Sequence, residues 1–447
     1  MLRNYEFKEK QKKTDRICMI ALAVVASTVS TFAYTLIAPL YPLQAASRLS
    51  EPLIGQVVAA YSIANLAFVP VAGVMSRRCS DVALLAIGLL TEAAALLVVA
   101  CLPLLMDPVS FLLASFFFRC LQGAADTFIG NAALSLVQKS SKRNVLARNI
   151  ALLEAFRSVG NASGPLGNLL FFPVTGFSLL FVAAGCFVAL VALTTWLLAR
   201  RPVKKAVLSH ELLDDDTSTQ YSTNYVLEVA YPSVSLKDLL GVRGVLFAAA
   251  QSALMMAVWN YREPILPAHF KTLGLSDSSM AIYFLISPLA SAIFGFVPMA
   301  LSNRFRPRTL IIFGNIIQAA VLLLIGPSTL LGMTPSIPIT ALGLGLCGAT
   351  FNFAFAPILA EMQLQASHLR RAPNFSSQIA LLNLLARPVG FWAGPIIASL
   401  LTANFGFGTT ADAFMLAVVI FTVLYLFLGR KQPRTHKTTI QDVTSRL

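Results

Sequence analysis

Apolar residues fall into twelve long runs along the chain, separated by mostly short polar links. Each run is close to the ~20 residues that an α-helix needs to cross the hydrocarbon core of a bilayer. The pattern predicts an all-α membrane protein with twelve transmembrane helices. The predicted spans are residues 17–42, 53–75, 82–105, 109–137, 145–172, 176–199, 243–268, 278–300, 309–331, 335–362, 374–402 and 408–429.

One link is much longer than the others. Residues 200–242 are polar and show no apolar periodicity, which predicts a flexible cytosolic linker between two sets of six spans. The expected organisation is a basic N-terminus at 1–16, a six-helix bundle at 17–199, the linker at 200–242, a second six-helix bundle at 243–429 and a tail at 430–447.

Charged residues are scarce and unevenly placed. Hydrophobic residues make up 57% of the chain and charged residues 12%, a balance that excludes a water-soluble core. Lysines and arginines crowd both termini, the linker and the loops on one side, whereas the opposite loops carry only Arg48 and Lys271. The positive-inside rule therefore predicts that both termini face the cytosol. The net charge of +14 reflects this topology, with some contact to anionic lipid, rather than nucleic-acid binding.

The two halves of the chain repeat one another. RSVGNASGP begins at Arg157, and RPVGFWAGP begins at Arg387, 230 positions later. Two more pairs have a similar spacing: the segments that end at Pro42 and Pro267, and the basic loops that begin at residues 76 and 302. Three pairs in the same order indicate a duplication of six spans. Two parallel halves suit a transporter that rocks about a central site and exposes it alternately to each side.

With this repeat, the chain resembles the major facilitator superfamily essentially from end to end. Span 4 contains the sequence RCLQG from Arg119, which matches the family's Arg-x-x-Gln-Gly signature. The loop after span 2, GVMSRR from Gly73, is similar to another family signature but lacks its acidic residue, and its second copy has Asn303 at that position. The resemblance therefore does not carry over the conformational latch that depends on this acid.

A third motif lies in span 5, where GNASGPLG from Gly160 resembles the Gly-x-x-x-Gly-Pro-x-x-Gly pattern of proton-coupled antiporters in the superfamily. Small residues at these intervals let helices approach closely, and the proline removes one backbone donor. Span 11 repeats the pattern, so we interpret both copies as hinge-like, with simple helix packing as the alternative. The conformational motif residues are Gly73, Arg77, Arg78, Asn303 and Arg304 in the loops and Gly160, Gly164, Pro165, Gly167, Gly390, Gly394 and Pro395 in the spans.

Ionisable residues inside the spans are candidates for the transport chemistry, because a charge in lipid is costly unless water or a partner masks it. Arg119, Gln122 and Asp126 are three and four positions apart in span 4, so they share one helix face. Glu154 and Arg157 are three positions apart in span 5. Spans 4 and 5 are therefore expected to present two acids and two arginines to one cavity.

A carboxylate in the membrane that alternates between a proton and a cation is the minimum that proton/cation exchange requires. We predict this role for Asp126 and Glu154, with Arg119 and Arg157 modulating their proton affinity. A fixed ion pair between Glu154 and Arg157 is the alternative, because their spacing favours pairing. Arg387 in span 11 is a candidate for binding an anionic substrate.

Three further acids lie in the spans. Glu263, near the outward end of span 7, follows Trp259 and Tyr261, whose rings could form a cage for an amine beside the acid. The alternative is that these two aromatic residues anchor the helix at headgroup depth. Glu361 is expected to be a solvated cap near the cytosolic end of span 10, and Glu92 in span 3 has no obvious partner in the sequence.

Short segments resemble one branch of the superfamily. LEAF at 153–156, REPIL at 262–266 and APLYP at 38–42 are similar to the vesicular amine and polyamine transporters, which are themselves similar to multidrug/proton antiporters. The resemblance implies proton-coupled antiport of a small organic cation by alternating access. The protein would then act in the plasma membrane or an acidic organelle membrane, and we expect a monomer.

Two alternatives remain open. Arg119, Arg157 and Arg387 could bind a carboxylate or phosphate as cargo, or the fold could serve as a membrane receptor or scaffold that does not transport. The chain contains no phosphate-cradling Gly-x-x-x-x-Gly-Lys-Ser/Thr loop, and its four histidines are scattered. We therefore predict that the protein is not an enzyme and uses no cofactor or metal.

Overall fold

The computed structural model describes residues 2–141, 146–200, 234–295, 297–301, 304–369 and 375–428. Within these ranges the regular structure is helical. The helices are α1 Leu2–Ile37, α2 Tyr41–Ala45, α3 Glu51–Arg78, α4 Asp81–Cys101, α5 Pro108–Ser140, α6 Leu146–Arg200, α7 Leu236–Gly241, α8 Arg243–Asn260, α9 Arg262–Thr272, α10 Asp277–Phe294, α11 Val297–Leu301, α12 Pro307–Ile325, α13 Ile337–Phe355, α14 Ile358–Gln365, α15 Phe375–Phe405 and α16 Phe407–Leu428.

Each of the twelve predicted spans coincides with helix. In the described ranges, nine helical segments are long and apolar enough to cross a bilayer. One of them, Leu152–Leu198, is 47 residues long, about twice what one crossing needs. It bends at Gly176, whose φ of +68° lies in the left-handed region that glycine adopts without strain. Gly176 therefore separates spans 5 and 6 within α6, as the apolar pattern predicts.

Spans 7 and 8 are built from shorter helices. Span 7 consists of α8 and α9, which meet at Tyr261. Pro264 lacks the N–H that would donate to the carbonyl of Asn260, so the regular helix ends there and a new one begins. Span 8 begins with α10, which ends at Phe294. With the nine long segments, these helices are consistent with twelve crossings.

The buried apolar side chains form separate clusters in the two halves. One cluster takes its residues from 23–192, and two others take theirs from 234–425. Between the halves, α3 packs along α15 and α6 packs along α10. The division into bundles at 17–199 and 243–429 stays a prediction, and the second-half clusters begin earlier, with Val234 and Leu239 of the predicted linker. Most of the predicted linker (201–233) and the whole of the tail at 430–447 lie outside the described residues.

The small residues of the repeated motif lie where helices approach most closely. A Cβ added at Gly160 in α6 would overlap Thr31 of α1, and one added at Gly390 in α15 would overlap the carbonyl of Ala253 in α8. A cavity lies beyond the first of these contacts and includes Pro165. The motif therefore packs span 5 on span 1 and span 11 on span 7, the same contact in each half.

The second glycine of each copy continues these contacts. A Cβ at Gly164 would overlap Thr35 Oγ1, and one at Gly394 would lie 2.6 Å from the Ala257 carbonyl oxygen. At Gly167 the nearest atom would be Phe32 Cε2 at 3.3 Å, which is tight but not overlapping. Pro395 lies one position after Gly394 in α15.

The loop signatures occupy helix ends. Gly73 and Arg77 lie in the last turns of α3, and a Cβ at Gly73 would meet no atom within 4 Å. Arg78 and Arg304 are exposed, and Asn303 lies outside the described residues. The first loop lacks the acid that the family signature would place there. A different acid follows it: Asp81 pairs with Lys139 (Oδ2 to Nζ, 2.6 Å) and connects α4 to α5.

Candidate functional site

A cavity lies between the two halves of the molecule, and we call it the central cavity. Helices α1 and α6 line it from the first half, and α8, α9, α10 and α13 line it from the second. Its lining residues are Tyr34, Thr35, Ala38, Asn161, Pro165, Trp259, Asn260, Arg262, Glu263, Leu266, Tyr283, Phe284, Ser287, Pro288 and Leu344.

Glu263 is the acid in the lining of the central cavity, and both of its oxygens are bound by groups from the first half. Arg119 Nη2 in α5 donates to Glu263 Oε1 at 2.9 Å, and the Tyr34 hydroxyl in α1 donates to Oε2 at 2.7 Å. The Arg119 and Glu263 side chains are 0% and 6% exposed. A charge pair this deeply buried persists only with good geometry, which these contacts supply. The ion pair therefore joins the two halves beside the cavity.

The Arg119 guanidinium continues into a second contact inside the first half. Its Nη1 donates to Gln122 Oε1 at 3.3 Å, and Gln122 Nε2 donates to Glu92 Oε1 in α4 at 2.9 Å. The rings of Tyr34, Tyr41 and Phe118 lie 5.5–5.7 Å from the Arg119 guanidinium carbon. The sequence suggested no partner for Glu92, but the structure provides one in Gln122.

Four aromatic side chains form part of the cavity wall: Tyr34, Trp259, Tyr283 and Phe284. Trp259 lies 4.6 Å from Phe351 (ring centroids), and the Arg262 guanidinium carbon lies 4.6 Å from the centroid of the Trp259 ring. Tyr261 points the other way, is fully buried and stacks on Phe414 at 4.6 Å. Tyr261 therefore neither joins the predicted amine cage nor anchors the helix at headgroup depth, because its ring packs inside the second half.

Asp126 belongs to a separate cluster. Arg157 Nη2 lies 3.3 Å from Asp126 Oδ1, and Asn65 Nδ2 donates to Oδ2 at 2.9 Å. Arg157 thus pairs across helices with Asp126 rather than along α6 with Glu154, which is exposed. The predicted alternative, a fixed ion pair between Glu154 and Arg157, is wrong, because Arg157 pairs with Asp126 of α5.

Two arginines face the interior without an acid at hydrogen-bonding distance. Among the residues that the structure describes, no carboxylate oxygen lies within 4 Å of Arg262 or Arg387. Arg387 lies 4.9 Å from the Phe355 ring centroid and within electrostatic range of Glu154 and Arg157. Arg262 is close to Cys347 Sγ at 3.5 Å.

Glu361 is not the solvated cap that its position suggests. It is 3% exposed and accepts a hydrogen bond of 2.7 Å from Gln365 Nε2. Because the amide is on the next turn of α14, the acid is satisfied within its own helix while packed inside the second half.

The two ends of the cavity differ. At the end where α3 begins, a Cβ on Gly55 would overlap Ser399 of α15, and α2 contacts α9. At the end where α3 finishes, a Cβ added at Gly73 would meet no atom within 4 Å, and Glu154 is exposed. The halves are therefore packed against each other at the end where α3 begins. Within the described ranges, no group of three or more His, Cys, Asp or Glu side chains could hold a metal ion.

Sequence comparison identifies the family. A profile described as Major Facilitator Superfamily matches residues 21–387, which is most of the chain. The chain belongs to the major facilitator superfamily. MFS-type transporter SLC18B1 of Homo sapiens is 22% identical over 438 residues, 96% of this chain and 90% of that protein. Multidrug resistance protein MdtG of Erwinia billingiae is 31% identical over 93 residues, 21% of this chain and 23% of that protein.

Solved structures agree on the fold. The D-xylose-proton symporter superposes with a TM-score of 0.67 at 16% identity and covers 92% of this chain and 97% of its own. A bacterial homolog of the human lysosomal transporter Spinster gives 0.63 at 16% identity, with 93% and 96% covered. The protein is thus a multi-pass membrane transporter of this superfamily, not an enzyme.

Several cavity residues were not predicted from the sequence. Tyr34, Asn161 and Tyr283 are ordinary polar or aromatic positions inside apolar spans, with no motif to mark them. Glu92 was visible as a charge in a span, and its partner Gln122 lay in the span 4 signature. What could not be read from the sequence was that α4 and α5 pack with these two side chains facing each other.

Proposed function

We propose that the protein is a proton-coupled antiporter that moves a small organic cation by alternating access, and that Glu263 binds the cation. The observation that carries this proposal is a carboxylate in the wall of a cavity between the two halves, held by one group from each of two first-half helices. A cation that enters the cavity meets this acid and the rings of Tyr34, Trp259, Tyr283 and Phe284, and ammonium groups favour aromatic faces beside an acid.

The relatives support transport over a receptor or scaffold role. Those that cover most of the chain are named as transporters, and the shorter match is to a protein named for multidrug resistance. A cavity with one acid among rings of Tyr34, Trp259 and Tyr283 suits lipophilic or flexible amines, because ring faces tolerate many shapes.

The arrangement of the two ends supports an inward-facing state. With both termini on the cytosolic side, as the positive charges predict, the packed end at Gly55 and Ser399 is the outer one. The exposed Glu154 and the half-exposed Arg387 then lie toward the cytosol. In this state the central cavity would exchange with the cytosol, and the Arg119–Glu263 pair would help close the outer side.

An anionic cargo is the second candidate. It is favoured by Arg262, which lines the cavity and has no carboxylate within 4 Å among the residues described. Arg119 and Arg157 are less suited to this role than the sequence suggested, because each already has an acidic partner.

Transport by the purified protein in proteoliposomes tests the proposal. The assay imposes a pH gradient and offers labelled spermidine, phenethylamine or succinate to the wild type, Glu263→Gln and the control Asp107→Asn. The control removes an exposed acid but keeps its helix cap, since Asn caps as well as Asp. We expect amine accumulation in the wild type and control, and an affinity about 30-fold lower or worse in Glu263→Gln.

Three results would contradict the proposal. Accumulation of succinate but not of either amine would show that the substrate is an anion bound by the arginines. Amine accumulation that continues after the pH gradient is dissipated would show that transport is not coupled to protons. Unchanged amine affinity in Glu263→Gln would show that the cation binds elsewhere.

A further inference from the structure

We propose that Glu92 is the proton site of the exchange: it is protonated when the central cavity is empty and loses its proton when a cation binds at Glu263. This inference rests on the proposed function, in which Glu263 takes the cation. It assigns the proton to a residue that does not line the cavity at all.

The surroundings of Glu92 leave its charge uncompensated. Its side chain is 1% exposed in α4, and the contact on Oε1 is a neutral amide, Gln122 Nε2 at 2.9 Å. Among the described residues, no lysine or arginine nitrogen lies within 4 Å of it. A buried carboxylate without a cation is more stable when protonated, because the neutral acid avoids the desolvation of a charge.

The groups that face Glu92 come from several helices. From α5, Arg119, Gln122 and Asp126 face it, and from α3 the Tyr61 hydroxyl does. The cation of α6, Arg157, is occupied by Asp126, and Tyr34 of α1 donates to Glu263. The positive charge able to stabilise ionised Glu92 is therefore that of Arg119, which reaches it through Gln122.

Arg119 is shared between the two acids. Its Nη2 contacts Glu263 Oε1 directly at 2.9 Å, while its Nη1 contacts Gln122 Oε1 at 3.3 Å. Three hydrogen bonds thus connect Glu263 to Glu92 through one guanidinium and one amide. If the interaction between Glu263 and Arg119 weakens, the Arg119 charge stabilises ionised Glu92 more strongly.

A cation bound at Glu263 weakens the interaction between Glu263 and Arg119. In the hydrogen-bonded chain of the empty site, positive Arg119, negative Glu263 and neutral Glu92 sum to zero charge, and Arg262 in the cavity wall lies outside this chain and keeps its charge whether or not a cation binds. When a monovalent cation pairs with Glu263, the sum becomes zero again only if Glu92 gives up its proton to water. Because a net charge among buried side chains is costly, one proton leaves when a singly charged amine binds. The reverse exchange on the other side of the membrane completes antiport.

Asp126 and Glu154, the acids that the sequence favours for this step, are placed differently. Asp126 keeps Arg157 at 3.3 Å and Asn65 at 2.9 Å, and neither contact involves Glu263. Glu154 lies within electrostatic range of Arg157 and Arg387, so cations already compensate its charge whether or not the site is filled. Of these acids, Glu92 is the one whose hydrogen bonds lead to the cation site.

The test separates cation movement from proton movement in the full-length protein. Proteoliposomes with wild type, Glu92→Gln, Glu92→Asp or the control Asp107→Asn are given labelled phenethylamine, which carries one charge. Exchange of internal for external amine is measured without a pH gradient, and accumulation is measured with one. In parallel, protons released on amine binding are counted in weakly buffered detergent solution.

We expect Glu92→Gln to need a higher amine concentration than wild type for exchange, because the occupied site then keeps one net positive charge. At saturating amine its exchange should continue, because glutamine retains the hydrogen bond and the volume. It should lose gradient-driven accumulation by at least about tenfold, equivalent to the loss of one tenfold proton gradient as driving force. Proton release on binding should fall from about one per amine to near zero. Glu92→Asp, which restores a carboxyl group, should recover both.

The possible failures are distinct. Glu92→Gln that still accumulates amine and releases protons would overturn the assignment to Glu92 while leaving the proposed function intact. Glu92→Gln that loses exchange as well as accumulation, without recovery in Glu92→Asp, would overturn it too, since the residue would then be structural. Wild type that neither exchanges nor accumulates amine would overturn the proposed function and this inference together.

Discussion

The Arg119 guanidinium and the Glu263 carboxylate form an ion pair of 2.9 Å between residues 144 positions apart, one in each half of the transporter. The pair is excluded from solvent, yet Glu263 also lines the cavity where a substrate would sit. A substrate cation and Arg119 would therefore compete for one acid. Such competition lets binding at the centre weaken a contact that holds the two halves together.

Neutralising both partners of this pair should cost less folding stability than the sum of the two single losses. Glu263→Gln leaves the buried Arg119 charge without its acid, and Arg119→Leu does the reverse, so each is expected to destabilise the fold by about 3–5 kcal/mol. The double variant leaves no charge unpaired and should lose clearly less than the sum of the two. Unfolding of the four proteins in a detergent titration measures the difference. Additive losses would mean that the two residues do not interact in the folded protein.

Gly390 is expected to be intolerant of any side chain. In Gly390→Ala the new methyl group would overlap the Ala253 carbonyl, a backbone atom that cannot rotate away. Overpacking of this kind costs about 1–3 kcal/mol. Gly73→Ala is the matched control, because its methyl group meets nothing within 4 Å and alanine favours helix by up to about 1 kcal/mol. Thermal unfolding should give a lower melting temperature than wild type for Gly390→Ala and a higher one for Gly73→Ala. Equal melting temperatures would contradict the close approach of α15 to α8.

Gly55→Ala should shift the population of states without unfolding the protein. A Cβ at Gly55 would lie 2.6 Å from the Pro395 carbonyl oxygen and overlap Ser399, but only while the outer end is closed. A penalty of about 1.4 kcal/mol on the closed state changes the population ratio tenfold. In a variant without native cysteines, labelling of Asn161→Cys in the central cavity by an impermeant thiol reagent from outside should accelerate by about that factor. An unchanged rate would place the closed contact elsewhere.

Asp126 and Glu154 should differ in stability although both are acids in adjacent spans. Asp126→Asn removes the partner of Arg157, and because the two side chains are 17% and 30% exposed, solvent screening limits the expected loss to about 1 kcal/mol. Glu154→Gln changes an exposed side chain and should stay within about 0.5 kcal/mol of wild type. Comparison of their melting curves in one detergent checks this. A larger loss of stability in Glu154→Gln than in Asp126→Asn would indicate that Arg157 pairs with Glu154 after all.

The helices were predictable because lipid imposes a length and an apolar character on every crossing. The apolar pattern predicts the break between spans 5 and 6, and the structure has Gly176 with φ +68° there. The Gly-Pro repeats at Gly160 and Gly390 likewise indicate close helix contacts, which the structure contains. Each of these features is local, so a short stretch of chain is enough to specify it.

The partners of the charged side chains were not predictable in the same way. Tyr261 was a candidate for the membrane surface and Glu361 for solvent, yet both are buried in the second half. A side chain inside a bundle and one that faces lipid both lie in apolar sequence, so hydropathy cannot distinguish them.

The sequence by itself determined the class of protein: membrane helices, a doubled half, positive charge concentrated in the loops of one side and the charges that any function must use. Only the tertiary structure decided that Arg119 pairs with Glu263, Arg157 with Asp126 and Glu92 with Gln122. The physical reason is distance along the chain. Helix formation follows from neighbours within a few positions, whereas these contacts depend on how whole helices rotate and pack against one another.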